Sequence, residues 1–226
     1  MEAPILAALD DADRRRVLQR TTRLRFARNA YVFHAGDAGD SVHLIDKGRV
    51  AVQAGGALGE PITLTVLAKG DVFGEQALLA EDHLRTATIQ ALELTETLML
   101  RRADFEDLRR SFPSVDRFLV AVLARQVRRL TAQITEMAEV AAPVRVYRRL
   151  ASLAEVFDAA GPGGEIPITQ NQLASMAGVS LRLANKVVGE ARAAGLLDTA
   201  NRRIVVRNWD ALVARCRTSG PSAAFL

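Results

Sequence analysis

In the run Phe73 to Thr88, FGEQALLAEDHLRTAT, a Gly-Glu step is followed ten residues later by an Arg-Thr step, with apolar residues between. Gly74 permits close backbone approach at the start of a short helix, whose free amides favour an anion. Glu75 can accept a bond from a sugar hydroxyl, Arg85 can grip a phosphate through two parallel bonds, and Thr86 adds a hydroxyl donor. With Phe73, Gln76 and Ala77 flanking them, these residues have the chemistry of a cradle for one ribose-linked phosphate. The same spacing also fits a plain alternative, in which Glu75 and Arg85 bridge one another at the surface.

A second set of side chains lies in QNQLASMAGVSLRLANKVV, which begins at Gln170. Arg182 and Lys186 are four residues apart and would project together from a helix, with Asn185 beside them. These are the types that pair with base edges and phosphates in a DNA major groove, and Leu181 suits a thymine methyl. In LLDTANRRIVV, Arg202 and Arg203 fall at the bend between two short strands, where they would meet phosphates. An ordinary solvated Arg/Lys face would have the same composition.

The elements that must position these groups are legible in outline. From Ala30 to Leu100 short runs of Val, Ile, Leu and Thr are divided by the turns AGDAGD, DKGR, AGGALGE and AKGD, the pattern of an all-β barrel or sandwich. From Ser114 to Ala142, Leu123, Val127, Leu130, Ile134 and Met137 recur at spacings of 4, 3, 4 and 3, a heptad seam on one uninterrupted helix. The core of its own domain could cover such a seam, but the helix outreaches a small barrel, so pairing with a second copy is the favoured expectation. Pro143 ends it and suits the first turn of the next helix, which makes Ala141 to Pro143 a hinge. Residues 144 to 159 form that helix, AGPGGE is a loop, and the remainder is short helices with a final strand pair.

Within the Gln170 segment, Leu173, Ala177, Val179, Ala184 and Val187 occupy the positions that lock two short helices at a steep angle. Ala174 is small at their closest approach and Gly178 supplies the turn. Thr169 and Ser180 are the expected caps. This is a helix-turn-helix followed by a wing.

Charge agrees with that division. Residues 143–226 hold 11 Lys+Arg against 6 Asp+Glu, a net of +5, whereas residues 1–142 hold 19 against 20. A basic segment on a neutral one suits a polyanion partner, nucleic acid before membrane. No apolar stretch is long enough to span a bilayer and no signal peptide is evident, so a cytoplasmic location is expected. The single cysteine, Cys216, excludes a disulfide framework and a cysteine-held metal or iron-sulfur site within one chain. No nucleophile and base stand in a context that suggests an enzyme.

The stretch NAYVFHAGDAGDSVHLIDKGRVAV resembles the opening of a cyclic-nucleotide-binding barrel, and FGEQALL with LRTATIQA resembles its phosphate-binding cassette. With the long helix and winged motif behind them, residues 20 to 213 resemble a CRP/FNR-family transcription regulator of the cyclic-AMP receptor type. The resemblance implies an α+β chain: an N-terminal jelly-roll sensor domain over 1–113, a dimerisation helix over 114–142 and a winged helix-turn-helix over 143–226. It places Gly74 and Glu75 at the ribose step and Arg85 and Thr86 at the phosphate step. Cyclic-AMP-responsive members hold the base with a Thr-Ser pair on the long helix; here those positions are Leu130 and Thr131, so one hydroxyl is kept and base selectivity is open. On the recognition helix an Arg-Glu start becomes Leu181-Arg182 and a later Arg becomes Lys186, so no known operator is carried over.

The implied protein is a homodimer on a near-palindromic operator in double-stranded DNA, with RNA polymerase as a further partner and no membrane. Its allosteric ligand is a cyclic nucleotide, cyclic AMP ahead of cyclic GMP, and no metal is required. Haem, used by other sensors of this kind, would need an axial ligand from His34, His43 or His83, and each is better read as structural or solvated; Glu81 and Asp82 beside His83 read as a solvated loop. A constitutive DNA-binding protein with no nucleotide, and a nucleotide-sensing subunit acting on a protein partner, are the alternatives.

Overall fold

The computed structural model describes residues 10–55 and 61–217. It divides into two compact units, Met1–Thr131 and Ala132–Leu226. Among the described residues no helix is long and apolar enough to cross a membrane.

The first unit opens with α1 (Asp11–Gln19), capped by the Asp10 carboxylate, which accepts from the amide of Asp13. Seven strands and a one-turn helix follow: β1 (Thr22–Phe26), β2 (Tyr31–Phe33), β3 (Ser41–Lys47), β4 (Val50–Gly55), β5 (Pro61–Leu67), β6 (Val72–Phe73), α2 (Gln76–Leu79) and β7 (Thr88–Ala91). The last strand is β8 (Thr95–Arg101). They form two antiparallel four-stranded sheets, ordered β1-β8-β3-β6 and β2-β7-β4-β5, the jelly roll implied by the family resemblance. Ile45, Val50, Leu67, Phe73 and Ile89 close the core between them. The period of two along β3 turns Ser41, His43 and Ile45 to the buried side, which delivers two polar side chains to the inner face. Gly48, at φ +81, makes the β3–β4 turn, and a Cβ there would lie 2.6 Å from the Leu94 carbonyl oxygen. Most of the AGGALGE turn lies outside the described residues.

Two helices follow the barrel: α3 (Arg102–Ser111) and the long α4 (Pro113–Glu139), whose first turns bury Val115, Leu119 and Val122. With 27 residues, α4 is about 40 Å long. It stops three residues short of the expected Ala142. The heptad stripe is also shifted at its start, because Leu123 packs partly against the cluster of Leu78, Leu100, Phe105, Leu108, Val115 and Leu119. Val120 takes the outward place, and Val127, Leu130 and Ile134 stay 55–68% exposed.

In the second unit, α5 (Ala142–Val156) begins with Pro143 in its first turn, where its missing N–H is harmless. Then come β9 (Glu165–Ile166), α6 (Gln170–Ala177), α7 (Leu181–Ala193), β10 (Leu197–Ala200), β11 (Arg203–Val206) and α8 (Trp209–Ala214). The wing is therefore three strands, ordered β10-β11-β9, and not the pair read from sequence. Leu150, Ile166, Leu173, Val187, Ile204 and Leu212 fill its core.

Candidate functional site

Gly74 follows β6 with φ +84, and a Cβ there would sit 2.6 Å from an Arg85 terminal nitrogen and 3.1 Å from the Ser41 carbonyl oxygen. The position thus needs glycine both for its backbone and for the room it leaves the guanidinium. Arg85 lies in the loop before β7. Its amide donates to Asp37 O at 2.9 Å and its carbonyl accepts from Gly36 N at 2.8 Å, so the backbone is tied to the β2–β3 loop instead of a ladder. Its guanidinium donates to Ser41 O (2.7 Å), Gly74 O (3.0 Å) and Ser41 Oγ (2.9 Å), and lies over the Phe33 ring. Burial lowers the Arg85 pKa, with Asp40 opposing.

Glu75 is 3% exposed and does not pair with Arg85, contrary to the plain alternative. Its Oε1 accepts from Gln126 Nε2 of α4 at 2.7 Å. Burial raises the Glu75 pKa, and the Gln126 bond works against that rise. Two buried atoms of this cradle, Glu75 Oε2 and Arg85 Nε, have no hydrogen-bond partner. Thr86 donates to Gln76 Oε1 at 2.9 Å, and Gln76 donates a long 3.5 Å bond to Gln126 Oε1, so a polar chain runs from the cassette to α4.

Phe73 and Ala77 are buried; Phe73 belongs to the barrel core and its ring stacks on His43. Leu130 and Thr131 stand exposed one turn beyond Gln126, and neither hydrogen-bonds to the cassette. Ser41, Gln126 and Arg102 were missed by the sequence reading. Arg102 donates to Gly39 O (2.5 Å) and Ala77 O (2.9 Å), clasping cassette and β2–β3 loop together. Gln126 could have been found by its place one helical turn before Leu130; nothing local marks Ser41 or Arg102.

His43 is a core residue, with Nδ1 3.1 Å from Thr97 Oγ1, and burial together with the nearby Arg85 charge brings its pKa to about 4. His34 packs against Tyr31, and His83 sits at φ +54 with Nδ1 3.3 Å from Ala77 O. Among the described residues no group of three or more His, Cys, Asp or Glu is arranged to hold a metal ion.

In the second unit the helix-turn-helix has the expected joints. Thr169 caps α6 through a reciprocal capping box with Gln172, adjoining Gln170, the first residue of the helix. Gly178 makes the turn at φ +61, and Ser180 Oγ caps α7 by accepting from Leu183 N at 3.3 Å. Leu173, Ala174, Ala177, Ala184 and Val187 are buried between the helices, and Val179 is half-buried. Arg145 of α5, unforeseen, braces the turn by donating to Ala177 O and Gly178 O at 3.0 Å each. Ser180, Leu181, Arg182, Asn185 and Lys186 form one exposed face, on which Lys186 meets Glu190 only at 3.9 Å. Arg202 is exposed at the tip of the β10–β11 turn with φ +56, whereas Arg203 is engaged by Glu165 at 3.0 Å.

Residues 23–112 match the family model of the cyclic nucleotide-binding domain, and residues 144–215 match that of the Crp-like helix-turn-helix domain. The chain is 33% identical over 157 residues to the cyclic AMP receptor protein of Thermus thermophilus, covering 70% of each. It is 28% identical to the cAMP-activated global transcriptional regulator CRP of Pasteurella multocida, over 80% of this chain and 88% of that one. The solved structure of a CRP-family transcriptional regulator from Thermus thermophilus superposes with a TM-score of 0.72 at 26% identity, covering 85% of this chain and 96% of the other.

Proposed function

The chain belongs to the CRP/FNR family of DNA-binding transcription regulators, which are not enzymes, and from that membership we propose that it acts as a homodimer gated by a cyclic nucleotide. The observation that carries the ligand reading is the pair of orphaned buried atoms, Glu75 Oε2 and Arg85 Nε, beside a glycine that leaves room for the guanidinium. A buried carboxylate oxygen without a donor is costly, and a ribose hydroxyl is a donor of the right kind.

Arg85 and Thr86 would hold the phosphate, Glu75 the ribose. Bound ligand supplies an anion and a hydroxyl donor to a cradle that lacks both. Thr86 then turns its hydroxyl from Gln76 to the phosphate, and Glu75 divides its acceptors between the ribose and Gln126. Both changes act on the polar chain that reaches α4, whose exposed Val127, Leu130 and Ile134 form the surface on which a second copy would pair. The ligand drives the switch only as far as it binds the DNA-competent form more tightly.

In this reading residues 1–113 sense, 114–142 dimerise and 143–226 bind DNA, in the cytoplasm and on a near-palindrome. Arg182, Asn185 and Lys186 read the major groove and Arg202 meets phosphates. RNA polymerase is the partner through which such a regulator would act.

A second reading, constitutive DNA binding, is favoured by one feature: Ser41 and Gly74 already take three hydrogen bonds from Arg85. Titration calorimetry with cyclic AMP and cyclic GMP, beside Arg85→Ala, separates the two. Heat that disappears in the variant supports gating. An unmodified chain that binds neither these two nor any other cyclic nucleotide sinks it.

A further inference from the structure

Beside the cradle a cavity of about 310 Å³ opens between the barrel and α4. Its floor is Leu67, Val72 and Val122, and its rim is Asp71, Arg125, Gln126 and Arg129. It adjoins the cradle through Gln126, the residue that donates to Glu75.

The polar rim is dominated by donors. One Asp71 oxygen accepts from Ala68 N at 3.0 Å, and the other faces Arg125 at 3.6 Å. The Gln126 oxygen faces Gln76. Arg129 forms no hydrogen bond or ion pair among the described residues, although the charges of Asp71 and Glu75 act on it. Its guanidinium is thus the free recognition group of the cavity, and a guanidinium can only donate.

A purine whose sugar and phosphate lie in the cradle would meet this rim with one edge. Guanine presents two adjacent acceptors there, O6 and N7, the pair that a guanidinium grips in two-pronged fashion. Adenine presents N7 beside an amino donor, which an arginine opposes. Leu130 offers no acceptor to that amino group. We propose that this cavity selects guanine, with Arg129 as the residue that specifies the base and Asp71 and Arg125 fixing the wall beside it. The proposal rests on reading the cradle as a cyclic-nucleotide site. Cyclic GMP and cyclic di-GMP both carry the required edge.

The test is calorimetric titration of the full chain with cyclic GMP, cyclic di-GMP and cyclic AMP in separate arms, repeated on Arg129→Ala and Arg129→Lys, with circular dichroism to verify folding. One guanine ligand binds roughly tenfold or more tighter than cyclic AMP, as expected for one two-pronged contact. Which of the two does so identifies the source of the base. In both Arg129 variants the preference falls to within about threefold, since lysine keeps the charge but not the fork. Cyclic AMP binding as tightly as the tighter of the two guanine ligands overturns the proposal while leaving the cyclic-nucleotide reading intact, and so does a preference that survives in both variants. Failure of the unmodified chain to bind any of the three overturns the underlying reading instead.

Discussion

Replacing Glu75 by Gln should make the free protein more stable and its ligand weaker, two effects with one cause. Glu75 is 3% exposed, one carboxylate oxygen accepts from Gln126 at 2.7 Å, and the other has no partner. Burial therefore raises its pKa above the ordinary value of 4.5, with Gln126 opposing. A group whose pKa rises on folding contributes its full stability only below the unfolded value and loses it as pH climbs through the folded one. At neutral pH the buried carboxylate thus weakens the unliganded fold. Glutamine keeps the shape and an oxygen for Gln126, and leaves a neutral amide unpartnered instead of a charge. An unsatisfied buried neutral group costs about 1–3 kcal/mol and a charged one more, so the exchange should gain about 1 kcal/mol and raise Tm by roughly 2–5 °C. The gain should fade as pH falls and vanish below the unfolded value of 4.5. Ligand binding moves the other way: a bond to a charged acceptor contributes about 1 kcal/mol more than one to a neutral acceptor, so Kd should rise about fivefold. Thermal melts from about pH 4 to about pH 8, with calorimetry at neutral pH, read both effects. A variant that melts lower at neutral pH, or binds as tightly as the parent, refutes the reasoning.

Other positions give sharp expectations. His43 has its pKa depressed to about 4 from 6.5, so the stability present above pH 6.5 is lost as pH falls through that window. The loss amounts to about 3 kcal/mol, and His43→Phe should flatten this limb of a Tm–pH profile. Gly74→Ala places a Cβ 2.6 Å from Arg85 at φ +84, and should cost about 1–3 kcal/mol in denaturant unfolding and abolish tight ligand binding. Thr169→Ala removes the capping box of α6 and should destabilise the second unit by about 1 kcal/mol in melts. On DNA, Arg182→Ala should relax sequence preference at a cost of about 1–3 kcal/mol, whereas Arg202→Ala should weaken all duplexes alike and reduce the salt slope by about 1.

What the sequence disclosed and what it hid divide along the range of the interactions concerned. The helix-turn-helix was legible to its caps, because Thr169, Gly178 and Ser180 act within three or four residues of themselves. That Gly74 and Arg85 come together was legible from their types and spacing, and Arg85 donates to Gly74 O at 3.0 Å. The other partners of Glu75 and Arg85 were not legible: Gln126 lies 51 residues from Glu75 and Ser41 lies 44 from Arg85. Only the fold brings them together. The heptad pattern correctly gave one long helix but placed Leu123 on its outer stripe, because a period of 3.5 cannot tell which of two neighbouring faces the barrel will claim. The third wing strand, β9, is two residues long and carries no alternation to detect.

The most direct test of ligand gating is fluorescence anisotropy of the full chain on a palindromic duplex that it selects from random DNA, titrated with and without saturating cyclic nucleotide. Tighter DNA binding by roughly tenfold or more in the presence of ligand, abolished in Arg85→Ala, is the result expected of a cyclic-nucleotide switch. Equal affinity with and without every cyclic nucleotide tried contradicts it.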